Sequence, residues 1–417
     1  MQNNHKERIA VKRIIVIGGG ASGMVAAIHA KEKINEVLIL EKNERIGKKI
    51  LATGNGKCNL GNQRLQEECY YCKNPERLHM VLQQYGTKES IEFFQKIGVL
   101  VREKNGYLYP YSEQASTVLD ALRMEIERRG IKVQCETQIV SVEFQKKKNQ
   151  YVLHDAQGQR YETDVVIVAC GGPASLKNGG MDGFHIAKQL GLPVSGLVPG
   201  LVQLKTNEAM QKSIAGVRCQ ARATLFIGNE PVRTEQGEVQ FTDYGISGIP
   251  VFQLSRLAAY GLQEKKKAVV QMDFFPDYTE AELNERIEHQ IEIRKNGTLE
   301  ELQTGLLHKK LNVFFLHKCN LRPGDSAGKL NQAKRKELAH CYKKCELEIT
   351  GTNSFQNAQV CAGGVSLEKL TENFEVREHP GVFFVGELLD VDGICGGYNL
   401  HWAFATGTIA GKCAKGK

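Results

Sequence analysis

Residues 13–30, RIIVIGGGASGMVAAIHA, carry the strongest structural signal in the sequence. They are typical of a buried strand, a tight glycine turn and a helix that carries apolar residues on one face. Gly18, Gly20 and Gly23 fit the pattern G-x-G-x-x-G. A second apolar strand, VLILEK, follows the helix and ends in Glu41, 23 residues after Gly18. This order of strand, glycine triplet, helix, strand and terminal acid predicts a Rossmann-type dinucleotide-binding unit.

Each position of the motif has a physical role. Gly18 permits the turn, and Gly20 lets a pyrophosphate approach the backbone N–H groups at the positive end of the helix. Gly23 lets the helix and the strand touch. We expect Glu41 to accept hydrogen bonds from the ribose hydroxyls of an adenosine, and its charge disfavours the 2′-phosphate of NADP at this position.

Composition limits the classes of protein that the chain can represent. Its 417 residues, 41% of them hydrophobic, suffice for two or three domains. It has no run of 18 apolar residues, and the N-terminal sequence lacks the apolar region of a signal peptide, so we expect a cytoplasmic protein without a membrane partner. The 12 cysteines are scattered, which indicates reduced thiols rather than a disulfide scaffold.

The net charge of +8 raises the hypothesis of a nucleic-acid partner. The visible lysine clusters, residues 146–148 and 265–267, are short and lie where turns are expected. No basic stripe interleaved with aromatic residues is visible. We therefore expect a small-molecule substrate and no nucleic-acid partner.

Two later segments indicate which dinucleotide binds. Residues 165–175, VVIVACGGPAS, are typical of another buried strand that ends in two glycines. Residues 381–411 contain a strand, an acidic loop, a glycine pair and a closing helix. Glu387 can bind a ribityl hydroxyl, and the N–H groups of residues 397–399 can face the flavin N1–C2=O edge, where negative charge develops on reduction. These features favour FAD.

Four segments carry a resemblance to a known family: residues 50–59 (ILATGNGKCN), 106–122, 357–370 and 386–407. Together they resemble the flavoprotein family that includes the bile-acid-operon flavoprotein BaiN and proteins of the aminoacetone oxidase type. The resemblance covers nearly the whole chain. It implies bound FAD, a two-dinucleotide-binding-type flavoprotein fold with an inserted domain, and redox chemistry linked to NADH or NADPH.

The resemblance also gives a role to the loop at residues 45–59, which it implies lies beneath the FAD. Gly54 and Gly56 would let the isoalloxazine and the pyrophosphate lie close to the main chain. Lys49 and Lys57 can neutralise the pyrophosphate.

Asn55 or Asn59 can bind flavin or ribityl oxygens, whereas Cys58 has no C-x-x-C partner and is interpreted as a structural thiol. Ile139 occupies the position at which such folds commonly bind adenine through the backbone. The residues predicted to bind the cofactor are Gly18, Gly20, Ala21, Ser22, Gly23, Glu41, Lys42, Lys49, Thr53, Gly54, Asn55, Gly56, Cys58, Asn59, Ile139, Gly171, Gly172, Gly386, Glu387, Gly396, Gly397, Tyr398 and Asn399.

The predicted fold class is α/β: a Rossmann-type FAD-binding domain with an inserted antiparallel, barrel-like β domain and a helical cap. The FAD-binding domain is expected to comprise residues 1–192 and 357–417. Period-two hydrophobic patterns place the β domain at residues 193–278 and 345–356. Helical periodicity places the cap at residues 279–344.

No metal site is expected. Cys69 and Cys72 have C-x-x-C spacing, and Cys341 and Cys345 lie four residues apart, but neither pair has a local turn glycine. No catalytic side chain can be assigned from the sequence.

The predicted function is that of an FAD-dependent oxidoreductase. The resemblance favours a reductase, linked to NADH or NADPH, that acts on a conjugated C=C bond in a small molecule such as a 3-oxo bile acid or steroid. Two alternatives remain open, a flavin amine oxidase of the aminoacetone type and an FAD-dependent tRNA-modifying enzyme.

Overall fold

The computed structural model describes residues 11–175, 180–207 and 211–417. The chain forms two compact units. The first, called the Rossmann unit, extends to Leu197 and resumes at Val360. The second, called the barrel unit, spans Val198–Gln359.

The helices and strands follow in chain order. Up to Leu197 they are β1 (Lys12–Ile17), α1 (Ala21–Ala30), β2 (Asn35–Leu40), β3 (Gly61–Asn62), β4 (Tyr70–Cys72), α2 (Pro75–Gln84), α3 (Thr87–Lys96), β5 (Val101–Lys104), β6 (Tyr107–Pro110), α4 (Ala115–Arg128), β7 (Lys132–Gln134), β8 (Ile139–Gln145), β9 (Gln150–Asp155), β10 (Arg160–Thr163), β11 (Val165–Val168) and α5 (Asp182–Gln189). In the barrel unit they are β12 (Val198–Gly200), β13 (Leu204–Thr206), α6 (Gln211–Ile214), β14 (Arg218–Ile227), β15 (Glu230–Phe241), β16 (Gly245–Ser247), α7 (Ile249–Gln263), β17 (Ala268–Asp273), α8 (Glu280–Arg294), α9 (Leu299–Leu302), α10 (Lys309–Lys318), α11 (Gln332–Lys343) and β18 (Cys345–Thr352). From Val360 they are β19 (Val360–Ala362), β20 (Val382–Phe384), β21 (Val391–Gly393) and α12 (Tyr398–Ala414).

A five-stranded parallel sheet is the centre of the Rossmann unit, with the strand order β20-β11-β1-β2-β7. Ile14 of β1 lies opposite Val165 of β11 on one side and Val37 of β2 on the other. The inner strands are apolar because both faces of the sheet are covered. The prediction of a Rossmann-type fold is confirmed.

Helices α1 and α12 pack closely because small residues line their contact. A Cβ atom on Gly407 would lie 2.5 Å from the carbonyl oxygen of Ser22, and one on Gly411 would collide with the carbonyl oxygen of Ala26. Gly407 lies against Ser22 and Gly411, four residues later, lies against Ala26, four residues after Ser22. Helices α1 and α12 therefore run in the same direction. Almost all of α12 is buried, as expected for a helix that is apolar all round.

The barrel unit contains a closed antiparallel barrel with the strand order β13-β16-β15-β14-β17-β18. Alternate residues of its strands point into the core, for example Val270 and Met272 of β17. Helix α7 contacts all six strands. Helices α8 to α11 form between β17 and β18, and the ring of Phe315 packs against that of Tyr342 at 4.7 Å between centroids. The prediction of an antiparallel barrel-like element is confirmed.

The segment at residues 45–59, predicted to be a loop, contains a 3₁₀ helix over Ile50–Gly56. Its i→i+3 turns include the N–H of Lys57 bonded to the carbonyl oxygen of Gly54, at 3.1 Å. Such short turns tolerate the glycines that weaken an α-helix. Within the described ranges, no helix is both long and apolar enough to cross a bilayer.

Candidate cofactor-binding site

The glycine turn between β1 and α1 leaves its backbone open. Gly18 has φ +103° and donates its N–H to the carbonyl oxygen of Leu40 at 2.8 Å. Gly20 is extended, and no described atom lies within 4 Å of the position where its Cβ would be. A Cβ on Gly23 would collide with the carbonyl oxygen of Gly18, so this position requires glycine.

Helix α1 begins at Ala21, which Ser22 follows. No described side chain caps its N-terminus, and its first turn carries no acidic side chain. Its first N–H groups therefore lack helical partners, and they lie beside the open face of Gly20. This is the environment that a pyrophosphate requires.

Glu41 is buried at the end of β2. One carboxylate oxygen accepts the Gly19 N–H at 2.8 Å, and the other accepts the Asn43 N–H at 2.9 Å and the Asn43 side-chain amide. These bonds fix the carboxylate, and the oxygen that accepts from Gly19 has further acceptor capacity for a ribose hydroxyl.

Lys42 lies next to Glu41 and forms an ion pair with Asp182, 2.9 Å between Nζ and Oδ2. The other oxygen of Asp182 accepts from the side-chain amide of Gln138 at 2.8 Å. Gln138 immediately precedes Ile139, which begins β8 and is buried. Sequence reasoning missed Asp182, which carries no local motif and is 140 residues from Lys42.

Glu387 joins three segments of the Rossmann unit. Its carboxylate accepts from Lys49 Nζ at 2.6 Å, from the Gly172 N–H at 3.1 Å and from the Cys361 N–H at 2.9 Å. Gly171, with φ +67°, lies beside it. In this structure Lys49 and Glu387, predicted to bind different parts of the cofactor, contact each other. Sequence reasoning did not identify Cys361 as part of this group.

Gly386 has φ +75° and donates its N–H to Thr406 Oγ1 at 2.9 Å. A Cβ at this position would collide with the side chain of Ser22. The turn that carries Glu387 therefore lies against the first turn of α1.

The turn before α12 is held by asparagine side chains. Gly397 has φ +91°, and a Cβ there would lie 2.6 Å from Asn59 Oδ1. Asn62 Nδ2 donates to the carbonyl oxygen of Gly396 at 3.1 Å. The side chain of Asn399 both donates to and accepts from the backbone of Gly393, at 2.8 Å each. The Asn399 side chain is thus engaged, and its backbone N–H remains the group available to a ligand. Sequence reasoning did not identify Asn62.

Helix α12 begins at Tyr398, and its N-terminus also lacks a side-chain cap from any described residue. Tyr398 is buried, and its ring meets that of Tyr70 edge-on at 5.5 Å between centroids. The Tyr70 hydroxyl lies 3.1 Å from His401 Nδ1. Burial lowers the pKa of His401 to about 4, so its ring is neutral at physiological pH.

The 3₁₀ segment presents Gly54 and Gly56 at positive φ, and no described atom lies within 4 Å of the Cβ position of Gly56. Thr53 accepts the Cys58 N–H through its carbonyl oxygen at 3.2 Å. Cys58 is fully buried, and burial raises the pKa of its thiol to about 12, which keeps the sulfur protonated. The side chain of Asn55 lies outside the part of the chain that the structure describes.

These residues fit a flavin dinucleotide. Two helices of one unit begin without side-chain caps, and the backbone of Gly20 faces open space. Two carboxylates with spare acceptor capacity complete the group: Glu41, buried at a strand end, and Glu387, half-buried beside the first turn of α1. Such an arrangement can hold a pyrophosphate, sugar hydroxyls and an electron-rich ring edge.

Comparisons with known proteins agree with this fold. The family model described as the HI0933-like protein Rossmann domain matches residues 12–413. The 3-dehydro-bile acid delta(4,6)-reductase of Clostridium scindens is 43% identical over 97% of this chain and 99% of its own length. The ribosomal RNA dihydrouridine synthase of Escherichia coli is 28% identical over 94% of this chain and 95% of its own length.

Among solved structures, a 3-ketosteroid delta1-dehydrogenase from Sterolibacterium denitrificans superimposes with a TM-score of 0.52, at 12% identity over 97% of this chain and 99% of that one. At that identity the similarity shows the fold alone. The family match confirms the resemblance predicted from the sequence: the chain belongs to the HI0933-like family of Rossmann-domain proteins.

Proposed function

We propose that this protein reduces carbon–carbon double bonds conjugated to a ketone, with a 3-oxo bile acid or a related steroid as its substrate. The chain is an FAD-dependent oxidoreductase. The observation that carries the proposal is the 43% identity, along 97% of the chain, to a protein named 3-dehydro-bile acid delta(4,6)-reductase.

The Rossmann unit would hold FAD through backbone groups and a few charges. The N–H groups at the start of α1 and the open face of Gly20 would receive the pyrophosphate. Glu41, fixed by Gly19 and Asn43, would receive the adenosine ribose. Glu387 would bind a ribityl hydroxyl while it retains its contact with Lys49.

The N-terminus of α12 would face the pyrimidine edge of the flavin, because its uncapped N–H groups and helix dipole favour negative charge. Positive potential at that edge stabilises the reduced cofactor more than the oxidised one. Bound, reduced FAD would supply a hydride, that is two electrons and a proton, to the carbon β to the ketone. The residues of this chain orient both reactants and exclude water from them.

We further propose NADH or NADPH as the source of those electrons, a role implied by the family resemblance. Mixing the oxidised holoenzyme with each nucleotide under anaerobic conditions tests this directly. Bleaching of the flavin by one of them is expected. If neither nucleotide bleaches the flavin, another reductant must supply the electrons.

A second candidate substrate is uridine in ribosomal RNA. Relatives at 28% and 26% identity, from Escherichia coli and Haemophilus influenzae, are named ribosomal RNA dihydrouridine synthase. The C5=C6 bond of uracil is conjugated to a carbonyl, so its reduction belongs to the same reaction class as the reduction of an enone. The net charge of +8 is compatible with an anionic partner.

One experiment separates the two candidates. The holoenzyme is supplied with reductant and either a 3-oxo-4,6-diene bile acid or ribosomal RNA that lacks dihydrouridine, and the products are examined by mass spectrometry. We expect the bile acid to gain two hydrogens and the RNA to remain unchanged. Conversion of the RNA alone would replace the first candidate with the second. The Gly20→Asp variant, expected to lack FAD, serves as the control.

A further inference from the structure

Strand β6 presents two phenols on one surface of the Rossmann unit. Leu108 and Pro110 are buried, whereas Tyr107 and Tyr109 alternate with them and are half-buried on the opposite face. The rings of the two tyrosines lie 6.4 Å apart between centroids. The sequence segment that contains them, residues 106–122, is one of those that carry the family resemblance, yet the cofactor site leaves it without a role.

The position of β6 is fixed relative to the candidate cofactor site. Residues 61–62, which form β3, pair with β6, and the Leu60 N–H donates to the carbonyl oxygen of Leu108 at 2.7 Å. Asn62 in turn holds the carbonyl oxygen of Gly396, in the turn that begins α12. Strand β6 is therefore separated by one short strand from the turn where we place the flavin ring.

A cluster of charges lies beside the tyrosines. Lys57 Nζ is 2.9 Å from one oxygen of Glu113, and the guanidinium of Arg102 pairs with the other oxygen. Glu113 is held in the left-handed region, φ +52°, with its N–H bonded to the carbonyl oxygen of Pro110. Two cations share one carboxylate, so the cluster retains a net positive charge. Lys57 directly follows the 3₁₀ segment and directly precedes Cys58.

Tyr109 has the properties of a hydrogen-bond donor. Burial raises the pKa of its phenol and Tyr107 adds to that shift, while the positive charge of Lys57 opposes it. The hydroxyl therefore remains protonated at neutral pH, and it lies within the field of a lysine. A protonated donor next to a cation stabilises an oxyanion.

We propose that Tyr109 donates a hydrogen bond to the ketone oxygen of the substrate and that Lys57 supplies the positive charge that stabilises this oxygen as it becomes an enolate. The inference rests on the proposed function and names two groups that carry out its carbonyl chemistry. The β carbon gains a hydride from reduced FAD, which loses two electrons, and the α carbon then gains a proton from water. The C=C bond becomes a single bond, and Tyr109 keeps its proton.

The test compares Tyr109→Phe with the matched variant Tyr107→Phe, which removes a neighbouring hydroxyl from the same face of the same strand. Each reduced holoenzyme is mixed anaerobically with a 3-oxo-4,6-diene bile acid, and the return of the oxidised flavin spectrum is followed. Loss of Tyr109 should slow this step about 100-fold, as loss of an oxyanion donor does in other enzymes. Tyr107→Phe should leave the rate within a few-fold of the wild type. Lys57→Met should slow the step about tenfold, because a charge is lost but the donor remains.

A second measurement does not depend on turnover. The carbonyl stretching frequency of the same ketone is measured when it is bound to the oxidised holoenzyme and when it is dissolved in an aprotic solvent. The frequency should be lower in the wild-type complex than in the solvent. In the Tyr109→Phe complex it should rise toward the value in the solvent. FAD affinity should be the same in all the tyrosine variants. A wild-type rate in Tyr109→Phe, with the carbonyl band still at the frequency of the wild-type complex, would overturn the inference and leave the proposed function intact. Failure of the wild-type enzyme to pass electrons to the ketone would overturn both.

Discussion

Lys49 Nζ lies 2.6 Å from Glu387 Oε2, although 338 positions separate the two residues in the sequence. The pair connects the segment that follows β2 with the turn between β20 and β21. Glu387 also accepts the N–H groups of Gly172 and Cys361. Four segments of the Rossmann unit are therefore fixed relative to one another around a single carboxylate.

Replacement of Glu387 by alanine should weaken FAD binding by about 1–3 kcal/mol, because two backbone donors and Lys49 lose their common acceptor. Glu387→Gln keeps an acceptor for the backbone but not the charge, so its effect should be smaller. Titration of FAD into both apoproteins, followed by flavin fluorescence, measures the difference. Unchanged affinity in Glu387→Ala would remove this residue from the cofactor site.

Gly20→Asp should abolish FAD binding. The new carboxylate would occupy the open space beside Gly20 and repel the pyrophosphate from the N-terminus of α1. Gly20→Ala is the matched control, since the backbone at this position, φ −78° and ψ −168°, accommodates any residue. The flavin content of each purified variant is the measurement. A fully loaded Gly20→Asp protein would contradict our placement of the dinucleotide.

Gly407→Val should destabilise the Rossmann unit by about 1–3 kcal/mol or more, because the side chain would be forced against the carbonyl oxygen of Ser22 on α1. Gly324→Ala provides a control in the barrel unit, where no described atom lies within 4 Å of the Cβ position. Urea denaturation of the two variants should therefore give clearly different midpoints. Equal midpoints would mean that α1 and α12 can separate at little cost.

The parts of the fold that could be predicted depend on local sequence. Spacing of the glycines between two apolar strands suffices to predict the turn between β1 and α1, because Gly18 and Gly23 meet steric requirements within that turn and Gly20 leaves its backbone open. Alternation of apolar residues at 218–228 and 268–275 likewise predicts strands with one buried face, and these residues form β14 and β17 of the barrel.

The partners of the candidate site residues could not be predicted in the same way. Lys49 was expected to face the pyrophosphate, but its contact with Glu387 depends on how distant segments come together. The ion pair between Lys42 and Asp182 likewise depends on how distant segments of the chain come together. The sequence does not predict the 3₁₀ helix at residues 50–56, because Gly54 and Gly56 lower the propensity for an α-helix. A 3₁₀ helix is used in short pieces, so a low α-helix propensity does not exclude it.

His401 should make stability depend on pH. Its pKa is lowered by burial from 6.5 to about 4 in the folded protein, so the unfolded chain binds more protons between these two values. Stability is therefore retained above pH 6.5 and falls as the pH drops toward 4. Between pH 7 and pH 5 this residue should account for a loss of about 2 kcal/mol.

Urea denaturation at both pH values, with His401→Gln compared with the wild type, measures this contribution. The variant should lose that part of the pH dependence. His289→Gln, which changes an exposed histidine of the barrel unit, should keep it. An identical pH dependence in His401→Gln and the wild type would show that the ring of His401 takes up a proton in the folded state.

The proposed function predicts that reduced, FAD-loaded enzyme passes its electrons to a conjugated ketone in the absence of oxygen. The holoenzyme is reduced to completion, freed of excess reductant and mixed with a 3-oxo-4,6-diene bile acid, and the flavin spectrum and the steroid product are recorded together. We predict that the oxidised spectrum returns and that one double bond is lost for each flavin oxidised. A flavin that stays reduced in the presence of saturating ketone, but is reoxidised when oxygen is then admitted, would rule out the proposed reaction.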